Sequence, residues 1–238
     1  MEKHLDFTID FETCSLSANA AVMQVAVVPW LRDDDQDPFC NVHVVPYEAH
    51  VDLRTCVVDG FDFDSSTIKW WSERSDAAKY AVCKGNAEPI AHVLADFFSS
   101  IQNNTGRLHL QSICLWCQGP DVDIAILRNL CRKYGVDLEK NIPHTSFRDC
   151  RTIILEGALV RADKLHTAIE ERIAAGVDVP SSDVPEAWQI LANPSLAYDL
   201  YDPLPDKHAE DSEAHDALYD ARRSSWLTWQ ALRWLNGK

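Results

Sequence analysis

The sequence is short of basic residues, has no long apolar run and carries no clustered cysteines. Each shortage removes a class of function. Lysine and arginine together number 22 against 37 aspartates and glutamates, for a net charge of −15. Such a chain is ill suited to bulk, sequence-blind binding of duplex phosphates, which needs a basic surface. A site that meets one phosphate through metal ions is still allowed, because carboxylates hold such ions and the ions then reverse the local charge. No stretch reaches 18 apolar residues, and even VMQVAVVPWL is interrupted by Gln24. The opening MEKHLDFTIDFET mixes both charge signs and lacks the apolar run of a signal peptide. The expectation is a soluble, cytoplasmic protein with no membrane partner. The eight cysteines are scattered rather than set in a compact framework, which fits reduced thiols. Cys114 and Cys117 form a C-x-x-C without a second pair, and on a strand they face opposite ways. No internal repeat and no low-complexity segment is present.

What is there suits one α/β domain over residues 1–238: 46% of the residues are hydrophobic, enough for a full core. Alternation or buried runs predict strands at 5–11, 21–30 and 39–47, joined by short connections as an antiparallel meander. The acidic turn RDDDQDP between the last two has calcium-loop spacing, but Pro38 and Val44 stand where glycine and glutamate are needed. It reads as a solvated turn. Ser65 and Ser66 can cap a helix through TIKWWSERS, and a longer helix runs through EPIAHVLADFFSSI. A strand is expected over 108–117, followed by a helix through GPDVDIAILRNLCRKYG. Residues 156–207 mix helical pieces with proline-bearing stretches and read as a helical insertion before a long last helix.

Three acidic sites stand out. Asp10 and Glu12 lie two apart at the end of the first strand and so share a face. Edge carboxylates are costly unless solvated or neutralised, so the pair fits either a wet sheet edge or a metal site. Asp123 begins a helix just after a strand. Leu127 and Leu130 follow it on the same face, which puts it over the buried side. A helix-dipole role suits Asp121 better. Last, His215-Asp216-Ala217-Leu218-Tyr219-Asp220 opens the final helix. Ala217 and Ala221 leave room beside it, and Asp216 can simply serve the dipole of an exposed first turn.

In this order the three sites resemble the DEDDh exonucleases. The first motif, D-x-E-T, stands as DFET, the second as GPDVDIAIL and the third, H-x-A-x-x-D, as HDALYD. Ser15 replaces the usual glycine, and Val122 stands where phenylalanine is common. STIKWWSERSDAA, FRDCRTI and HDALYDA resemble more closely the subgroup of phage exonuclease A and the exoribonuclease RNase AS. The resemblance implies an RNase H-like fold: a mixed five-stranded sheet with its first three strands antiparallel, flanked by helices. The insertion has no template in it.

The implied activity is 3′→5′ exonucleolysis of single-stranded nucleic acid, releasing nucleoside monophosphates, with a lean to RNA. By the resemblance Asp10, Glu12, Asp123 and Asp220 hold two Mg²⁺ or Mn²⁺ ions, Asp10 bridging, with His215 as general base. Cys14, Ser15 and Leu16 resemble the segment that abuts the terminal nucleotide. Trp70 and Trp71 are candidates to stack on a base, although adjacent helical residues point about 100° apart, which sends one to the core. Arg148 and Arg151 are candidate phosphate contacts, or surface ion pairs. The partner is the 3′ end of single-stranded RNA or DNA, and a homodimer is compatible. The competing expectations are the same chemistry on DNA, or a catalytically inactive DEDD-fold binding module.

Overall fold

The computed structural model describes residues 4–40, 44–107, 113–177, 184–209 and 215–237. Its strands are β1 (Leu5–Thr13), β2 (Val22–Leu31), β3 (Tyr47–Val51), β4 (Ala87–Glu88), β5 (Cys114–Cys117) and β6 (Phe147–Asp149). The helices are α1 (Leu53–Val58), α2 (Ser65–Ser72), α3 (Asp76–Cys83), α4 (Ile90–Arg107), α5 (Asp123–Lys133), α6 (Leu138–Asn141), α7 (Cys150–Ala174), α8 (Ala187–Ala192), α9 (Asp206–Ala209) and α10 (Ala217–Leu235). The chain divides into two compact units. One comprises Met1–Asp149 with Pro205–Ser225, the other Cys150–Leu204 with Trp226–Lys238. No helix among the described residues is long and apolar enough to cross a membrane.

The first unit is a mixed α/β sheet of six strands in the order β4-β3-β2-β1-β5-β6. β1, β2 and β3 form the expected antiparallel meander, and β5 and β6 add in parallel beyond β1. The sixth strand corrects the expected five. It is a two-residue edge, Ala87–Glu88, lying parallel to His50 and Val51, and too short to carry a pattern. The third strand also lies later than expected, at Tyr47–Val51 rather than 39–47. Pro46 lacks the ladder donor and precedes the strand. Phe39 packs instead against a small cluster of Ala26, Val28, Ala217 and Ala221. Four of the five β3 residues are half-buried, so no clean alternation marks them. Residues 41–43 and 108–112 of the expected strands lie outside the described residues.

Both faces of β1 are covered, for different reasons. Phe7, Ile9 and Phe11 enter the main core with Val93, Phe97 and Leu127. Asp6, Thr8, Asp10 and Glu12 point the other way. There Arg32 and the Trp116 indole hold the buried Asp6 carboxylate, and the Trp30 indole donates to Thr8 Oγ1 at 3.0 Å. The acidic turn is less solvated than its composition suggests. Asp37 is 8% exposed and paired with Lys207 and His208 of α9, and Asp34 accepts the Gln36 and Asp37 amides. None of the eight cysteines forms a disulfide.

The second unit packs α7 with α8 and with the 3-10 helical stretch Pro194–Leu200. The expected insertion, 156–207, falls largely within this unit. At Gly157 a Cβ would stand 2.6 Å from Tyr201 Oη and 2.8 Å from Ala231 Cα. Tyr201 Oη is itself fixed, donating to the Ile154 carbonyl at 2.7 Å. Gly157→Ala should therefore destabilise the protein by about 1–3 kcal/mol through overpacking, despite a helix-propensity gain of about 1 kcal/mol. Urea unfolding measures this, and an unchanged midpoint would show that the contact yields freely.

Candidate active site

Sheet geometry gathers the acidic residues. Asp10 pairs across the ladder with Ala26, and Glu12 with Gln24. The register slips between Glu12 and Thr13, a bulge-like irregularity at the end of β1. On the same face, Ala217 and Ala221 of α10 pack against Ala26 and Val28. Small side chains let this helix approach closely, and Asp220 lies between the two alanines in sequence. β5 runs parallel to β1, so both strands end at one sheet edge, where Gly119 (φ 116°) turns the chain towards α5. Asp123 is the first residue of that helix and is buried. Its N-cap, Val122, offers no side-chain cap.

The four carboxylates feel one another. Asp10 is raised well above the ordinary carboxylate range by burial and by the charges of Asp123, Glu12, Asp220 and Asp216. Burial, then Asp220, Asp216 and Asp123, push Glu12 up to about 8. Burial also raises Asp220, against the pull of the His215 backbone N–H, which donates to Asp220 Oδ2 at 2.9 Å. Ligating atoms of Glu12, His215 and Asp220 all lie within 4.8 Å of one another. Crowded oxygen donors of like charge are a poor arrangement for a bare site. They suit hard divalent cations such as Mg²⁺ or Mn²⁺, and no thiol belongs to the set.

His215 has φ 71° and is the one non-glycine residue at positive φ among those described. Histidine tolerates this left-handed region better than most side chains, at some cost in energy. The imidazole meets Trp70 edge-on at 4.8 Å and Trp71 at 6.1 Å. The two tryptophans divide as their helical offset requires. Trp71 is buried, its indole donating to the Thr13 carbonyl at 3.0 Å, whereas Trp70 is 38% exposed beneath the Arg74 guanidinium. The helix that carries them is capped by Asp64, which accepts the Thr67 amide, rather than by Ser65 or Ser66. Asp64 precedes the serines, so its side chain reaches the free amides first.

A cavity of about 480 Å³ opens beside Glu12, lined by Thr13, Leu16, Trp70, Trp71 and Val122 among others. Leu16 is 73% exposed on a loop that is otherwise pinned. Cys14 and Ser15 are buried and hold the loop through backbone, with Ser15 Oγ also accepting the Ser17 amide at 3.1 Å. Cys14 N donates to the Ala21 carbonyl, Asp64 N to the Cys14 carbonyl, and Thr13 Oγ1 to the Ser15 carbonyl. Arg148 is not among the cavity residues. It lies on β6, with its Nη1 spent on the Thr145 and Phe147 carbonyls. Arg151 belongs to the second unit, on α7.

Sequence reasoning missed two buried partners of the final helix. Asp216 is 1% exposed rather than on an open first turn, and Lys84 reaches it at 2.9 Å. Gln24, wholly buried on β2, accepts the Ala217 amide at 3.0 Å. Separations of 132 and 193 residues leave no local signal for either contact.

The family model of the Rv2179c-like 3′-5′ exoribonuclease domain matches residues 5–176, well over half of the chain. The chain belongs to that family. The matched residues include Asp10, Glu12 and Asp123 and stop before His215 and Asp220, so the third segment joins the set by geometry alone. No curated protein matches the sequence significantly. Among solved structures, the zinc-bound form of the E. coli ExoI–ssDNA complex is similar with a TM-score of 0.55 and 13% identity, covering 99% of this chain and 42% of that one. E. coli Exonuclease I with a 5cy-dA13 oligonucleotide gives 0.50 and 12%, covering 94% and 40%. The chain thus spans about two fifths of these relatives. At such identity the likeness shows the fold, and the family's fold is the mixed α/β sheet described above.

Proposed function

We propose that this member of the family is a metal-dependent 3′→5′ exonuclease of the DEDDh type, removing nucleoside monophosphates from the 3′ end of a single strand. One observation carries the reading: carboxylates from three distant segments, Asp10 with Glu12, Asp123, and Asp220, lie near enough to repel one another, and Glu12 and Asp220 group with the His215 imidazole. RNA is the preferred substrate, in line with the exoribonuclease character of the family. The ExoI structures, held with DNA, make single-stranded DNA the comparison to run.

Asp10, Glu12, Asp123 and Asp220 would hold two Mg²⁺ or Mn²⁺ ions. When bound, these would supply charge stabilisation for phosphodiester hydrolysis and lower the pKa of water. The remaining work belongs to the chain itself. His215 accepts the proton of the attacking water as general base. Its backbone is held by Asp220 and its ring is fixed against Trp70. The cavity between Leu16 and Trp70 receives the terminal nucleotide, Trp70 offering a ring on which a base can stack. The pinned loop under Leu16 keeps that wall in place without an ordering cost on binding.

The test is one gel. The protein is given 5′-labelled single-stranded RNA and DNA of equal sequence, and a blunt duplex, with Mg²⁺ or Mn²⁺. The expected product is a one-nucleotide ladder shortening from the 3′ end, fastest on RNA and much slower on the duplex. Chelation should abolish it, and either ion should restore it. Full activity after exhaustive chelation would remove the metal assignment, and internal cuts would remove the exonuclease reading.

A further inference from the structure

The segment carrying His215 is held by a polar network that the nuclease reading leaves unused. The first four amides of a helix lack intrahelical partners and must find others. In α10 these needs are met in a set. Ala217 N donates to Gln24 Oε1 at 3.0 Å, and Leu218 N and Tyr219 N to Asp216 Oδ1 at 3.0 and 3.3 Å; the helix's own ladder then begins with Asp220 N on the Asp216 carbonyl at 2.9 Å. The second Asp216 oxygen accepts from Lys84 Nζ at 2.9 Å. Lys84 also stands 4.0 Å from Glu48 Oε1, which accepts the Gln24 side-chain amide at 2.7 Å. One lysine thus closes a loop of contacts through β2, β3 and the start of α10.

An ordinary N-cap needs no lysine, because water solvates its outer oxygen. Asp216 is 1% exposed and lies near enough to Asp10 and Glu12 to repel both. A buried carboxylate among other carboxylates is costly without a positive partner. Lys84, on the turn that ends α3, is the cation that the structure places on it. His215 directly precedes this cap, in a left-handed conformation that only surrounding contacts can hold.

We infer that Lys84 is a positioning residue of the site: by tethering and neutralising Asp216, it fixes the turn that presents His215. The inference rests on the nuclease reading above. Lys84 touches no substrate, so its loss should show in kcat and not in KM. K84M should lower kcat by about 10–100-fold, the scale of a displacement near 1 Å, with KM within about twofold. K84R, which keeps the charge, should retain most of the rate. Asparagine keeps the cap and removes the charge, so in the D216N background the further change K84M should alter kcat by less than about twofold.

Hydrogen exchange supplies a readout independent of turnover. In K84M the Leu218 and Tyr219 amides should exchange at least about tenfold faster, with the β1 amides unchanged. If K84M does not fold, the comparison of D216N with K84M/D216N carries the test. A K84M rate within twofold of wild type overturns the inference. So does a loss that falls on KM, or an equal loss on removing Lys84 from D216N. An inactive wild-type protein would instead defeat the nuclease reading, while the exchange measurement still decides whether Lys84 holds the turn.

Discussion

Replacing His215 by alanine should lower turnover by about 10²–10⁴-fold, the usual worth of a positioned base, while binding of single-stranded RNA in Ca²⁺ stays nearly intact. The expectation separates a nuclease from a protein that merely binds metal and nucleic acid, since such a protein has no use for a base beside the carboxylates. The imidazole is the right group for the task, because one ring nitrogen can take up a proton from water. Its ring is also placed, edge-on to Trp70, by a backbone bond to Asp220 rather than by chance. Single-turnover cleavage beside a binding titration is the measurement. Wild-type cleavage by His215→Ala would sink the assignment. Loss of binding in step with cleavage would instead make His215 a ligand, as its grouping with Glu12 and Asp220 allows. Asp216→Ala is not a neutral control. It strips two amide caps and leaves Lys84 without its partner, so it should also lose more folding stability than His215→Ala does.

Asp10→Asn should abolish turnover, by at least about 10²–10³-fold, and should at the same time make the metal-free protein more stable. The two effects have one origin. Asp10 is half-buried within reach of four other carboxylates, whose charges raise it. An acid whose folded pKa lies above its unfolded value binds more protons folded than unfolded. It therefore costs stability as pH rises through that interval. For Glu12 the interval runs from the ordinary 4.5 to about 8. Metal-free wild type should thus lose stability on going from acid to neutral pH, and Asp10→Asn should reduce the loss. Each kcal/mol of repulsion relieved is worth about 2–4 °C in melting temperature for a chain of this size. Differential scanning calorimetry in chelator, with and without added Mn²⁺, reads it. Mn²⁺ should raise the wild-type transition and leave the variant's nearly still. A variant that melts lower than wild type in chelator would mean that Asp10 makes a contact worth more than the repulsion it causes.

The parts of this arrangement that follow a short-range rule were legible in the sequence. Asp10 and Glu12 share a face because a strand alternates, and Asp123 falls on the buried side of its helix because Leu127 and Leu130 follow it. The division of Trp70 and Trp71 needed only the helical offset. What could not be read had no local signature. β3 is half-exposed and follows a proline, and β4 is two residues long. Asp216 looks, in sequence, like any acidic residue in a first turn. Its burial is decided by Ala217 and Ala221 drawing α10 onto Ala26 and Val28, and its partner lies 132 residues away. Arginines 148 and 151 illustrate the converse. Residue type suggested phosphate or a surface ion pair, and Arg148 turns its Nη1 to carbonyls of its own segment.

The spread of the site along the chain sets when it can first exist. Asp10 and Glu12 are synthesised before Asp123, and His215 with Asp220 follow more than ninety positions after it. Domains fold as they emerge during translation, so β1 and β2 can pair long before α10 is available to cover them. Until residue 220 has been added and its helix has docked, the proposed base and the last carboxylate are both missing. A chain still on the ribosome before that point would lack both groups, and the proposed hydrolysis could not begin on it.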